Sequence, residues 1–187
     1  MAINVGNKLI DNDLDKSELL KRVEIRKTCE DDLEAICRTR CKAFDLESPH
    51  DAFAQMMNSN ALLDESVKLV DRKTGDIYGL LMFCEYPISI GSPIHQVDDD
   101  IDRFLNQFKQ INGHSFIIDS RLRGTGLDRK MLFYNIDFLR KNYDMIWIGV
   151  ESSLRSHNYW KRHGFVDIFS IPEATFYMIP LNKNVLK

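Results

Sequence analysis

Val23-Glu24-Ile25-Arg26-Lys27 alternates apolar and charged positions, which predicts a strand with one face buried. Thr28 stands three residues before Asp31, and Glu30, Asp31 and Asp32 crowd the following turn, as acidic residues do where a helix begins. The segment after it places Leu33, Ile36, Cys37, Cys41 and Phe44 on one helical stripe. A second helix is expected from Ser48-Pro49 to Met57, ended by Asn58-Ser59-Asn60. Residues 67–71 and 77–86 read as two strands joined by Arg72-Lys73-Thr74-Gly75-Asp76, hence a hairpin. Residues 87–95 hold prolines and a glycine and predict a loop. Residues 96–110 carry Val97, Ile101, Phe104, Leu105 and Phe108 at helical spacing, with Asp98, Asp99, Asp100 and Asp102 on the other face.

The last third has the clearest periodicity. Ser115-Phe116-Ile117-Ile118 predicts a short apolar strand, followed by the turn Arg123-Gly124-Thr125-Gly126. Leu127, Met131, Tyr134 and Phe138 then mark an amphipathic helix. Residues 145–150 are continuously apolar, as in a strand buried on both faces. A more polar helix over 153–163 ends at Gly164, and residues 165–169 and 174–181 close the chain as strands. The sum is a mixed α/β fold: one domain over 23–187, preceded by a polar arm, 1–22, that is either loose or a short helix.

Composition narrows the function classes. The chain has 187 residues, 44% hydrophobic and 28% charged, enough apolar content for one packed core and too much for a disordered chain. Lys and Arg total 25 against 28 Asp and Glu, a net charge of −3, without the basic excess of a dedicated nucleic-acid binder. Apolar runs fall well short of the roughly 18 residues a membrane span needs. Asp11, Asp13, Asp15, Lys16 and Glu18 do not form a signal-peptide layout, so a cytoplasmic location is expected. Cys29, Cys37, Cys41 and Cys84 read as free thiols and small buried apolar groups; Cys37 and Cys41 lack the further ligands of a zinc site, so no metal is expected.

The glycine turn carries the chemistry. A strand, a short glycine turn and a helix together form an anion-binding device: N–H groups at the helix start point outward and the macrodipole adds positive potential. Glycine lets the backbone approach a phosphate without a Cβ in the way. Arg121, Arg123, Arg129 and Lys130 surround the turn. Neither GxxxxGK[ST] nor GxGxxG is present. By spacing alone, a tight strand-to-helix connection explains the turn equally well.

Arg123-Gly124-Thr125-Gly126-Leu127-Asp128-Arg129-Lys130-Met131-Leu132 resembles the acyl-CoA signature of the GNAT N-acetyltransferases, R/Q-x-x-G-x-G/A, and Trp160-Lys161-Arg162-His163-Gly164-Phe165 resembles that family's Y-x-x-x-G-F. The order of elements from Val23 to Leu181 is also similar, while the sharp motifs lie within residues 116–165. The resemblance implies a GNAT-type acyl-CoA acyltransferase fold, a central, mostly antiparallel sheet flanked by helices. It implies acetyl-CoA as co-substrate, with Arg123, Gly124, Thr125, Gly126, Leu127 and Asp128 at the pyrophosphate and the Ile118 backbone toward the pantetheine or acetyl group. It implies an amine acceptor held by the first two helices, around residues 44–60, where Phe44, Phe53, Met56 and Met57 stand. The departures are Asp128 at the final G/A, Ser153 and Ser156 at the family's Asn-x-x-Ala, and Trp160 at the usual tyrosine. A shifted register starting at Arg121 also satisfies the pattern formally, but only the first register puts Met131 and Leu132 at the family's paired apolar positions.

The implied activity is direct transfer of an acetyl or other acyl group from acetyl-CoA to a primary amine of a small molecule or protein. Such a transfer rests mostly on positioning and backbone N–H donors. Glu85, Asp119 and Glu151 are the candidate bases, each also explained as a solvated strand-end carboxylate, and Trp160 occupies the general-acid position with a side chain that is no acid near neutral pH. Tyr159 is adjacent to it and is expected to point elsewhere. The Asp98–Asp102 cluster reads as a solvated helix face or as an acidic rim for a cationic acceptor. The alternative to an enzyme is a catalytically weakened GNAT-like CoA-binding or regulatory module, and a third reading is another phosphate ligand on the same turn. A monomer and a homodimer both fit.

Overall fold

Antiparallel neighbours account for most of the sheet, five of the seven described strand pairings. In the computed structural model, which describes residues 2–4, 9–10, 12–84, 103, 107–151, 156–170, 172 and 174–182, the elements run β1 (Ala2–Asn4), α1 (Lys16–Arg22), β2 (Val23–Lys27), α2 (Leu33–Phe44), α3 (Pro49–Asn58), β3 (Ala61–Asp71), β4 (Ile77–Cys84), β5 (Gln110–Ile118), α4 (Leu127–Leu139), β6 (Met145–Glu151), α5 (His157–Arg162), β7 (Val166–Ser170) and β8 (Ala174–Pro180). The eight-stranded sheet has the order β2-β3-β4-β5-β6-β8-β7, with β1 off this path on β5. Only β5–β6 and β1–β5 are parallel among the described pairings. The mixed α/β fold with a mostly antiparallel sheet flanked by helices is therefore the observed one. Among the described residues, no helix is long and apolar enough to cross a membrane.

Side-chain alternation divides the sheet into two faces. Leu81, Phe83, Phe116 and Ile118 pack with Met131, Leu132, Ile136 and Leu139 of α4 and with Trp160 of α5. Leu80, Met82 and Ile117, one residue out of phase, pack with Ile36, Cys37 and Ala43 of α2 and Ala52 and Met56 of α3. Residues 145–148 and 150 are fully buried, as their unbroken apolar run predicts.

Several expectations are corrected. β5 begins at Gln110 and residues 107–109 are not helical, so the end of the helix expected over 96–110 is corrected; most of the rest of that segment, the acidic positions 98–102 included, lies outside the described residues. Gln110–Gly113 are strand because β6 pairs along all four and β4 also pairs with Asn112 and Gly113, a tertiary constraint that Gln110, Asn112 and Gly113 do not announce. The N-terminal arm holds the short helix expected of it, as α1, and adds a strand. Asp15 caps α1 by accepting from the Glu18 N–H, and β1 joins the sheet in the register Ala2–Ser115, Ile3–Phe116 and Asn4–Ile117.

Candidate active site

β5 and β6 pair only from Gln110–Met145 to Gly113–Ile148 and then part. Beyond Gly113, the β5 edge that faced β6 must find other partners, because buried backbone amides need them. β1 takes Ser115–Ile117 of that edge. Ile118, at its far end, leads into a 3-10 turn (Ser120–Leu122) and then the glycine turn.

Gly124 and Gly126 have φ of 66° and 78°, the left-handed region that strains other residues. A Cβ placed on either glycine meets nothing within 4 Å, so the turn faces open space. Gly126 is the N-cap of α4 and brings no side chain to cap it; the Leu127 N–H turns back to Thr125 Oγ1 at 3.4 Å, and the first-turn N–H groups after it point out of the helix. Thr125 braces the turn, its hydroxyl donating to the Leu122 carbonyl at 2.6 Å. Among the described residues, Arg123 Nε and Nη2 are buried without a hydrogen-bond partner. Such donors beside an uncapped helix start fit a diphosphate.

Asp119 is not placed to act as a base. It is fully buried, its two oxygens accept from Arg121 Nε and Nη2 at 2.9 Å each, and it also accepts from the Leu9 N–H at 2.9 Å. Burial works to raise its carboxyl, but the Arg121 and Leu9 hydrogen bonds outweigh burial and hold it below the ordinary carboxylate range. Arg121 continues into the arm, donating to the Ile10 carbonyl at 3.0 Å and to Asn12 Oδ1 at 2.8 Å. Lys16 Nζ reaches the Arg123 carbonyl at 3.2 Å, tying α1 to the glycine turn. The pair is a clamp on residues 9–16.

Trp160 is likewise a packing residue. It is fully buried among Phe116, Tyr159 and Phe165, with centroid separations of 5.8, 5.2 and 5.1 Å. Tyr159 does not point elsewhere: its ring also reaches Phe116, at 5.7 Å, and stacks on His163 at 4.2 Å. Burial first, and the Asp128 carboxylate next, push the Tyr159 hydroxyl above its usual value. That keeps it protonated and able to donate. His157 is tied to the Tyr177 hydroxyl at 2.8 Å, and His163 Nδ1 to the Tyr159 carbonyl at 2.7 Å. Glu85 lies outside the described residues, and nothing is described of the Glu151 side chain. In the expected acceptor segment Met56 is buried core, Phe53 packs against it, and Met57 is 60% exposed.

One cluster escaped sequence reasoning. Arg40, on α2, is 2% exposed and lies against His114 Nδ1 at 3.1 Å, Ser115 Oγ, and Gln55 Oε1 at 3.3 Å. Burial, and then the adjacent guanidinium, bring the His114 imidazole down to about 4, so it is neutral near pH 7. Burial lowers Arg40 itself to about 10. The available signal was positional: Arg40 falls between Ile36, Cys37 and Phe44 on the apolar stripe of its helix.

Neither a family model nor a curated protein matches the chain. Solved structures do. A GNAT family N-acetyltransferase from Escherichia coli, YhbS, in complex with CoA aligns over 88% of this chain and 84% of its own with a TM-score of 0.62 at 19% identity. Ard1 from Thermoplasma volcanium covers 87% of this chain and 99% of its own, with a TM-score of 0.59 at 13% identity. The ribosomal-protein-S18-alanine N-acetyltransferase from Escherichia coli covers 85% and 94%, with a TM-score of 0.52 at 17% identity. With parting parallel strands, a glycine turn at the start of α4 and these likenesses spanning most of its length, the chain has the fold of the GNAT N-acetyltransferases.

Proposed function

We propose that the protein is an acetyl-CoA-dependent N-acyltransferase that moves an acetyl group directly to a primary amine. The observation that carries this reading is the open, uncapped glycine turn beside the unpartnered Arg123 nitrogens, at the end of the strand that parts from β6. Arg123, Gly124, Thr125, Gly126, Leu127 and Asp128 hold the diphosphate of the coenzyme, through backbone N–H groups and the Arg123 guanidinium. Ile118 offers its backbone to the arm that follows. Acetyl-CoA supplies an activated thioester: the amine nitrogen forms the new C–N bond, the C–S bond breaks, and the amine proton ends on the thiol. This chain contributes positioning, N–H donors and exclusion of water. Trp160 and Tyr159 are both too weakly acidic to protonate the thiolate, burial and the Asp128 carboxylate raising the Tyr159 hydroxyl, so the amine's own proton goes to the thiol by way of solvent. The base is Glu85 or solvent.

A second reading, a CoA-binding module with weakened catalysis, draws on the burial of Trp160 and on the Asp128 carboxylate in the first turn of α4. Calorimetric titration with acetyl-CoA, with ATP as control, tests the site. Micromolar binding of acetyl-CoA with weak ATP binding is expected, and Gly126→Glu abolishes it, because the substitution puts bulk, charge and left-handed strain at the diphosphate site. Unchanged affinity in a folded Gly126→Glu protein overturns the assigned turn. Thiol release with a panel of amines then separates an enzyme from a module.

A further inference from the structure

Arg40 is a charge without a counter-charge. The other charged residues buried in the structure each meet an opposite partner: Asp119 with Arg121, Asp71 with Arg22 at 2.6 Å, and Lys68 with Asp32. Among the described residues no carboxylate lies within ion-pair distance of Arg40, whose polar neighbours, His114, Ser115 and Gln55, are all neutral. The Phe44 ring, with Arg40 Cζ 5.3 Å from its centroid, adds only a cation–π contact. Nε has no partner. Taking a lone cation out of water is costly, and packing alone is better served by an apolar side chain of that volume.

Its place in the fold gives the uncompensated charge a use. Ser115 lies just past Gly113, where β5 and β6 part. By alternation its side chain shares the α2/α3 face with Ile117, whereas α4, with the glycine turn, belongs to the opposite face. A coenzyme anchored at the turn and running back along β5 from Ile118 to Ser115, about 10 Å, brings its thioester to the parting of the strands. A nucleophile arrives from the other face, where Arg40 and Gln55 stand.

We propose that Arg40 is a carboxylate receptor at the transfer point, so that one of the two reacting molecules carries an anionic carboxyl group, either the amine acceptor as an amino acid or the acyl group as a dicarboxylic thioester. The proposal rests on the acyltransferase reading above. The guanidinium fork matches a carboxylate bidentately, and the neutral imidazole, hydroxyl and amide around it hold the fork in place without competing for its charge.

Two assays distinguish the sources. In the first, thiol release from acetyl-CoA is measured with a panel of free amino acids and with the same compounds as primary amides. In the second, binding of succinyl-CoA and acetyl-CoA is compared by calorimetry. An acceptor carboxylate is expected to give acids at least about tenfold higher kcat/KM than amides, a usual margin for a site with a buried polar group to satisfy. An acyl carboxylate instead gives a similar preference for succinyl-CoA. Arg40→Gln and Arg40→Met bring whichever ratio is found toward one, and Arg40→Lys restores it in part. A protein that binds acetyl-CoA but shows no carboxylate preference in either assay overturns the proposal and leaves the acyltransferase reading standing. A protein that binds neither thioester overturns both.

Discussion

Arg121 meets the residue that follows β5 and Arg40 the middle of that strand, and the contrast between them separates structure from chemistry. Arg121 is saturated: it shares Asp119 through two nitrogens and spends the rest of its fork on the carbonyls and Asn12 side chain of the N-terminal arm. Arg40 is more deeply buried, and among the described residues it meets only neutral groups. A buried ion pair costs desolvation but recovers it when every donor and acceptor is matched; a buried lone cation recovers little. The first belongs to the scaffold. The second is the charge that the proposed carboxylate receptor would use.

The largest test of this contrast is Asp119→Ala. It leaves Arg121 partly buried without its anion and frees the arm, so a loss of about 3–5 kcal/mol in urea unfolding is expected. If the loss is under about 1 kcal/mol, the clamp is not a scaffold element. Arg40→Met is expected to do the opposite. It removes a desolvated charge that no carboxylate balances, so stability stays within about 1 kcal/mol of the parent or rises. A loss as large as that of Asp119→Ala makes the two arginines alike and removes the distinction.

The smallest test uses pH, and the two regions respond in different windows. His114 has its pKa lowered from 6.5 to about 4 in the folded protein, so between those values the unfolded chain binds the proton and the folded one does not. Stability therefore falls as pH drops through that window, by at most about 1.4 kcal/mol per unit. The Asp119 carboxyl is depressed below 3.8, so its contribution is complete above that value and is lost only in stronger acid. Urea midpoints from pH 7 to 3 should show both phases, and Arg40→Met should shrink the upper one by letting the His114 imidazole, followed by NMR, titrate closer to 6.5. An imidazole that titrates unchanged in Arg40→Met assigns the His114 shift to burial alone.

What was legible in the chain follows from how local each signal is. Val23–Lys27 has the bounds its alternation predicts, and the Leu127, Met131 and Phe138 spacing marks α4, because period and burial agree there. The glycine turn was legible because positive φ falls on few residue types. The arm was not, since Leu9 and Ile10 are held by partners more than a hundred residues away. Asp119 was read as a candidate base from its place just after the apolar strand, and Trp160 from its motif position as standing where the family has its tyrosine; only packing shows one clamped and the other in the core. Arg40 stood in plain view on an apolar stripe. Its neutral neighbours, His114 and Ser115, come from a strand whose start the pattern concealed.

If acetyl-CoA binds as proposed, the short strand β1 turns that binding into an exchange. Ala2–Asn4 already sits on Ser115–Ile117, the edge that a ligand running from the glycine turn would use. Two guests cannot hold the same row of amides, so a ligand that lies there must evict the first. The heat and affinity measured on the whole chain are then differences between two occupancies. The same titration on a chain lacking residues 2–4 reads the incoming guest alone.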